Sequence, residues 1–227
     1  MTENLTGNES KIKNLEAVYS GYMAAASSFL SDNDMFTPGF VWGCGDVSSD
    51  MVLIGEAPGK DEVETGKPFS GKAGSILNRL LYYTSCERSD LFITNTIKYR
   101  LARQRAGSLP SMIPVCENKS LSNRPASSKE ILLASSYLKE ELLILNPRLI
   151  VTLGNTPLRA LCAGFFPGEK VKTVGECRGE FVKLPGFKDT YLCPVFHPAS
   201  LIYNPSNEYI YIEDLKKIGE YLRNMSK

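Results

Sequence analysis

The chain has 227 residues, with 26 Lys and Arg against 25 Asp and Glu, a single His, 43% apolar residues and 22% charged. That profile fits one soluble globular domain and argues against a broadly basic nucleic-acid binder, though not against a small basic patch. One histidine excludes a multi-histidine metal site, and no apolar run reaches the roughly 18 residues of a membrane span.

The first stretch, MTENLTGNESKIKN, has no apolar core of a secretory signal, so a cytoplasmic location is expected, with residues 1–10 polar and disordered. Lys11 to Leu30 predicts a helix. Ser31 to Gly45, rich in Asp, Asn, Gly and Pro, predicts a loop or an edge hairpin. Four short apolar runs follow, at Met51–Ile54, Leu91–Thr94, Leu149–Leu153 and Tyr191–Phe196, and each reads as a buried strand. Between them, Ala73, Ile76, Leu77, Leu80 and Leu81 keep helical spacing. Ser128 to Asn146 does the same through Ile131, Leu138, Leu142 and Leu145, and Pro147 ends it. Pro157 opens a short helix to about Ala163. Phe181–Leu184 returns through Pro185-Gly186 into the last strand, and a final helix runs from about Asn207 to Met225. Leu101 to Ser122 reads as an irregular insertion.

Strands alternating with helices predict one domain over residues 1–227. Its class is α/β: a three-layer α/β/α sandwich around a central, mainly parallel four-stranded sheet. Such sheets bind ligands beyond the carboxyl ends of their strands. That rule points to four places. After the first strand lies a glycine-punctuated loop, Gly55 to Gly71, which opens a helix; its spacing is not that of a P-loop, and glycine content alone fits an ordinary loop equally well. After the second lies Asn95, and after the third Gly154. After the fourth comes His197-Pro198-Ala199-Ser200, which carries the chain's only histidine. The six cysteines, at 44, 86, 116, 162, 177 and 193, form no CxxC pair and read as free thiols.

In order, GEAPGKDE, GKPFSGKAGSIL, TNTIK, NRPASSKEI, LIVTLG and HPASLIYNP resemble the uracil-DNA glycosylase superfamily, and within it family 4, from about Gly55 to Pro205. The resemblance implies a monofunctional DNA repair hydrolase that flips uracil out of DNA and cuts its N-glycosidic bond, leaving an abasic site. It implies catalytic roles for Glu56, Glu62 and His197: a carboxylate for the water and a donor to the departing base. It implies base binding by Gly55, Ala57, Phe69 and Asn95, with Phe69 stacking and Asn95 reading the edge. Lys67, Lys72, Lys98, Ser200 and Leu201 would contact DNA, with Leu201 as the wedge that fills the vacated stack; Arg100, Arg103 and Arg105 could extend the patch or form a solvated loop. Another deaminated base, hypoxanthine or xanthine, and a non-catalytic damage-binding relative are the alternatives. A monomer that binds DNA near the nucleoid, and no membrane, is the expected setting.

Family 4 enzymes carry a [4Fe–4S] cluster on four cysteines. Here the corresponding positions fall near Tyr19, Tyr22, Tyr99 and Ala134, none of which ligates iron. The expectation from sequence is therefore no metal, no iron–sulfur cluster and no other cofactor.

Overall fold

The computed structural model describes residues 6–33, 35, 39–104 and 121–225. Arg105, Cys116 and most of the expected insertion lie outside these residues.

Helix α1 (Gly7–Asp32) begins earlier than its apolar pattern predicts. The reason is a reciprocal cap: Thr6 accepts from the Glu9 backbone, and Glu9 accepts from the Thr6 backbone. The chain continues through β1 (Cys44–Gly45), β2 (Met51–Gly55), a short α2 (Lys60–Thr65), α3 (Lys72–Leu81) and β3 (Phe92–Asn95). A small hairpin, β4 (Ala102–Gln104) with β5 (Leu121–Asn123), precedes α4 (Ser128–Leu145). Then come β6 (Leu149–Leu153), α5 (Asn155–Phe165), α6 (Val174–Cys177), β7 (Val182–Lys183), β8 (Tyr191–Val195), α7 (Ser200–Tyr203) and α8 (Glu208–Met225). Asn146 closes α4 in a left-handed conformation just before Pro147.

The sheet order is β1-β3-β2-β6-β8-β7. Its four inner strands are parallel, as expected, and antiparallel β1 and β7 finish the edges, making six strands rather than four. The two edge strands have two residues each, too short for a hydrophobic period to reveal.

Successive residues of a strand face opposite sides. Val52, Ile54, Phe92 and Ile150 pack with Leu15 of α1, Leu138 and Leu142 of α4 and Leu161 of α5. Met51, Leu53, Ile93 and Val151 pack with Leu77 and Leu80 of α3 and Leu215 and Ile218 of α8. The result is the α/β/α sandwich. Because β3 and β6 leave β2 on opposite sides, a crevice opens at the carboxyl ends of the inner strands. Among the described residues, no helix is long and apolar enough to cross a membrane.

Candidate active site

That crevice is a cavity of about 470 Å³, lined by Glu56, Gly59 and Glu62 after β2, Phe69 and Ala73 at the start of α3, Asn95 at the end of β3, and His197 and Ala199 after β8. The parallel register sets Gly55 beside Asn95. A Cβ at Gly55 would overlap both Asn95 Oδ1 and the Phe69 ring, so glycine there clears the floor of the cavity.

Phe69 is 4% exposed and lies 5.6 Å from the His197 ring, centroid to centroid, at 34°. Its φ of +53° is unusual for a non-glycine residue and costs energy that its surroundings must offset. Glu62 does so. One carboxylate oxygen accepts the Phe69 N–H and the other accepts the Gly59 N–H. Burial raises the Glu62 pKa, while these two donors oppose the rise. Glu62, expected as a catalytic carboxylate, lines the cavity and with one backbone N–H on each oxygen also clamps the loop and sets Phe69.

Glu56 keeps a looser hold. Oε1 accepts the Ala126 N–H at 3.3 Å, and the backbone carbonyl accepts the Ile97 N–H at 2.9 Å. Asn95 is 2% exposed, and its amide Nδ2 has no hydrogen-bond partner among the described residues. A buried donor without an acceptor is costly, and here it sits on the wall of a cavity.

His197 Nδ1 accepts the Ala199 N–H at 3.1 Å. Burial lowers its pKa to about 4. At neutral pH the ring is therefore uncharged, and with Nδ1 accepting, its proton sits on Nε2.

The five expected DNA contacts fare differently from one another. Lys67 and Lys72 are exposed, two and three residues from Phe69 in sequence, and Ser200 is half-buried at the start of α7. Lys98 is corrected: it is 2% exposed and its ammonium sits 2.6 Å from Glu141, where no phosphate reaches it. Leu201 is corrected too. It is 6% exposed and belongs to the core with Leu215 and Ile218, whereas its neighbours Ile202 and Tyr203 are 46% and 88% exposed. One turn of helix points the first of three apolar residues inward and leaves the other two outside.

Asn123, Arg124 and Pro125 also line the cavity, a role the sequence reading missed although it had singled out NRPASSKEI. Arg124 pairs with the buried Glu130 at 2.6 Å, and Tyr99 donates to the same carboxylate. Burial alone would raise the Glu130 pKa, but Arg124, Ser127 and Tyr99 together hold it at about 2. This brace fixes the segment whose Ala126 N–H meets Glu56.

A sheet edge presenting a carboxylate, a buried amide, a buried aromatic ring and a neutral histidine around one cavity has the parts to bind a flat base and cut its glycosidic bond. Residues 42–223 match the Uracil DNA glycosylase superfamily, and the chain belongs to it. It is 33% identical over 190 residues to the type-4 uracil-DNA glycosylase of Saccharolobus solfataricus, covering 82% of this chain and 78% of that protein. The type-4 uracil-DNA glycosylase of Thermotoga maritima is 31% identical, over 81% of this chain and 83% of its own length. A DNA polymerase of Bacillus phage SP01 is 24% identical over 82% of this chain, which spans 17% of the polymerase.

The expectation of no cofactor is corrected by this similarity to type-4 enzymes, the group to which the sequence resemblance attaches a [4Fe–4S] cluster. The described residues at the four corresponding positions do not themselves fit one. Tyr22, Tyr99 and Ala134 share one apolar cluster, with Phe40 and Trp42 packed against it, and Tyr19 stacks on Trp42 at 4.8 Å. Among the described residues, no group of three or more His, Cys, Asp or Glu is arranged to hold a metal. The free cysteines described are Cys44, Cys86, Cys162, Cys177 and Cys193, all at other positions.

Proposed function

We propose that this protein is a monofunctional uracil-DNA glycosylase of base excision repair, acting as a monomer through one domain. The observation that carries the reading is the buried Asn95 Nδ2, without a hydrogen-bond partner among the described residues, on a cavity lined also by Phe69 and His197.

Uracil flipped from the helix would lie against the Phe69 ring. The Asn95 Nδ2–H would meet its O4, while the amide oxygen accepts N3–H. Cytosine presents the opposite pattern, and each mismatched buried group costs about 1–3 kcal/mol. As the bond between sugar C1′ and base N1 breaks, its electron pair passes into the base and spreads to O2. The His197 Nε2–H donates to that oxygen without giving up its proton, a contribution of a few kcal/mol. Glu56 orients a water whose oxygen bonds to C1′; its carboxylate also balances the positive charge on the sugar and takes the water's proton. The exposed Ile202 and Tyr203 would fill the gap in the stack, with Lys67 and Lys72 on the phosphates.

The test is an end-labelled strand with one uracil, incubated with enzyme and then cleaved at abasic sites by alkali. Wild type should cut. His197→Ala and Glu56→Gln should each lose about a hundredfold or more in single-turnover rate while still binding the DNA. No cleavage of either single- or double-stranded uracil DNA would reject the uracil assignment. Release of hypoxanthine or xanthine instead would move the substrate but keep the chemistry.

A further inference from the structure

Behind the cavity, on the α4 side of the sheet, lies a charged pair that the reaction does not touch. Lys98 is 2% exposed and Glu141 is fully buried. All three ammonium hydrogens are accounted for: Lys98 Nζ lies 2.6 Å from Glu141 Oε2, 2.7 Å from Thr94 Oγ1 and 2.6 Å from the backbone carbonyl oxygen of Asn95. Thr94, accepting from Lys98, sends its own hydroxyl hydrogen to Glu141 Oε1 at 3.0 Å. The Tyr19 hydroxyl donates to the same oxygen at 2.6 Å.

A fully buried ion pair is a poor way to hold a fold together. Apolar residues of similar volume often do as well or better. What apolar residues cannot do is bind the Asn95 carbonyl. In Thr94-Asn95-Thr96-Ile97-Lys98, a lysine three residues past the asparagine folds back over the end of β3 and grips the residues at positions 94 and 95 at once. Glu141 on α4 then ties that grip to the opposite layer.

We infer that the Lys98–Glu141 pair is a positioning device that sets the Asn95 amide for reading the uracil edge. The inference rests on the reading of Asn95 as the base-contacting amide. Neither Lys98 nor Glu141 touches substrate. Burial lowers the Lys98 pKa, and its hydrogen bond and attraction to Glu141 oppose that shift.

The experiment replaces both partners by apolar residues, Lys98→Met with Glu141→Leu, in the full chain. It reads the melting temperature, the single-turnover rate, KM and product inhibition by free uracil. The double variant should stay folded, and kcat/KM and uracil inhibition should weaken roughly ten- to a hundredfold. In an Asn95→Ala background the same double substitution should add little, because two changes acting through one group are not additive. A folded double variant with unchanged kcat/KM and unchanged uracil inhibition would overturn the inference, as would full additivity with Asn95→Ala. If the double variant does not fold, Glu141→Gln, which keeps an acceptor for Tyr19 and Thr94, takes the same readouts, and unchanged uracil inhibition again overturns it. Unchanged uracil inhibition in Asn95→Ala alone would instead remove the base-reading role of Asn95, a separate failure.

Discussion

His197 shows how one side chain's surroundings set its chemistry. A histidine has an ordinary pKa near 6.5, but burial beside Phe69 brings it down to about 4. Because the folded value is the lower one, the neutral ring favours the folded state above pH 6.5. That contribution fades as the pH falls from 6.5 through 4, and amounts to at most about 3 kcal/mol. The chain has one histidine, so its ring protons give an isolated NMR signal. They should titrate with a midpoint near 4, and the donor should stay neutral at pH 5. A midpoint near 6.5 would mean an open, readily charged ring. Sequence placed this histidine at the ligand edge of the sheet. It could not supply the Ala199 N–H on Nδ1, which decides the tautomer.

Among elements, α7 shows why a motif does not reveal which way its residues point. Ser200-Leu201-Ile202-Tyr203 is apolar throughout its last three positions, and the sequence reading chose Leu201 as the wedge without any sign of which of them faces out. The helical turn and the presence of α8 beneath it send Leu201 into the core and leave Tyr203 in solvent. An aromatic face that replaces a lost base is worth about 1–3 kcal/mol of stacking. Tyr203→Ala should therefore lower kcat/KM on duplex uracil DNA roughly tenfold, with a much smaller effect on single strands, which have no stack to fill. Equal loss on both would assign Tyr203 to phosphate or sugar contact instead. The short α2 was hidden for a related reason. Its six residues put no apolar side chain fully into the core, so no apolar period marked them, and Glu62 caps it only because Gly59 sits three residues earlier. The longer α3, α4 and β6 were legible because each presents several core residues in a regular repeat.

At the scale of the molecule, the formal net charge is +1, and one of the lysines expected on DNA is locked inside the fold. Binding should therefore involve few phosphates. The slope of log K against log salt should be about −2 to −4, with each phosphate contributing about −0.9. Reversing the two exposed lysines that flank Phe69 in sequence, Lys67→Glu with Lys72→Glu, should flatten that slope by about 2 and raise KM, with little change in the saturated rate. A slope unaffected by the pair would move the DNA path to another face.

The chain by itself determined the class of sandwich, the order of its long elements and the family. Apolar repeats and ordered motifs are local properties, and they survive without coordinates. It also put Glu56, Phe69, Asn95 and His197 on the list of candidates. Only the tertiary structure decided what each nearby charge does. Glu62 clamps a loop, Lys98 faces Glu141 and Arg124 faces Glu130 because the folded chain brings residues 7, 43 and 6 positions apart in sequence within hydrogen-bonding distance. A carboxylate or a lysine reads the same in sequence whether it meets water, substrate or a buried partner; burial and the identity of that partner set its role.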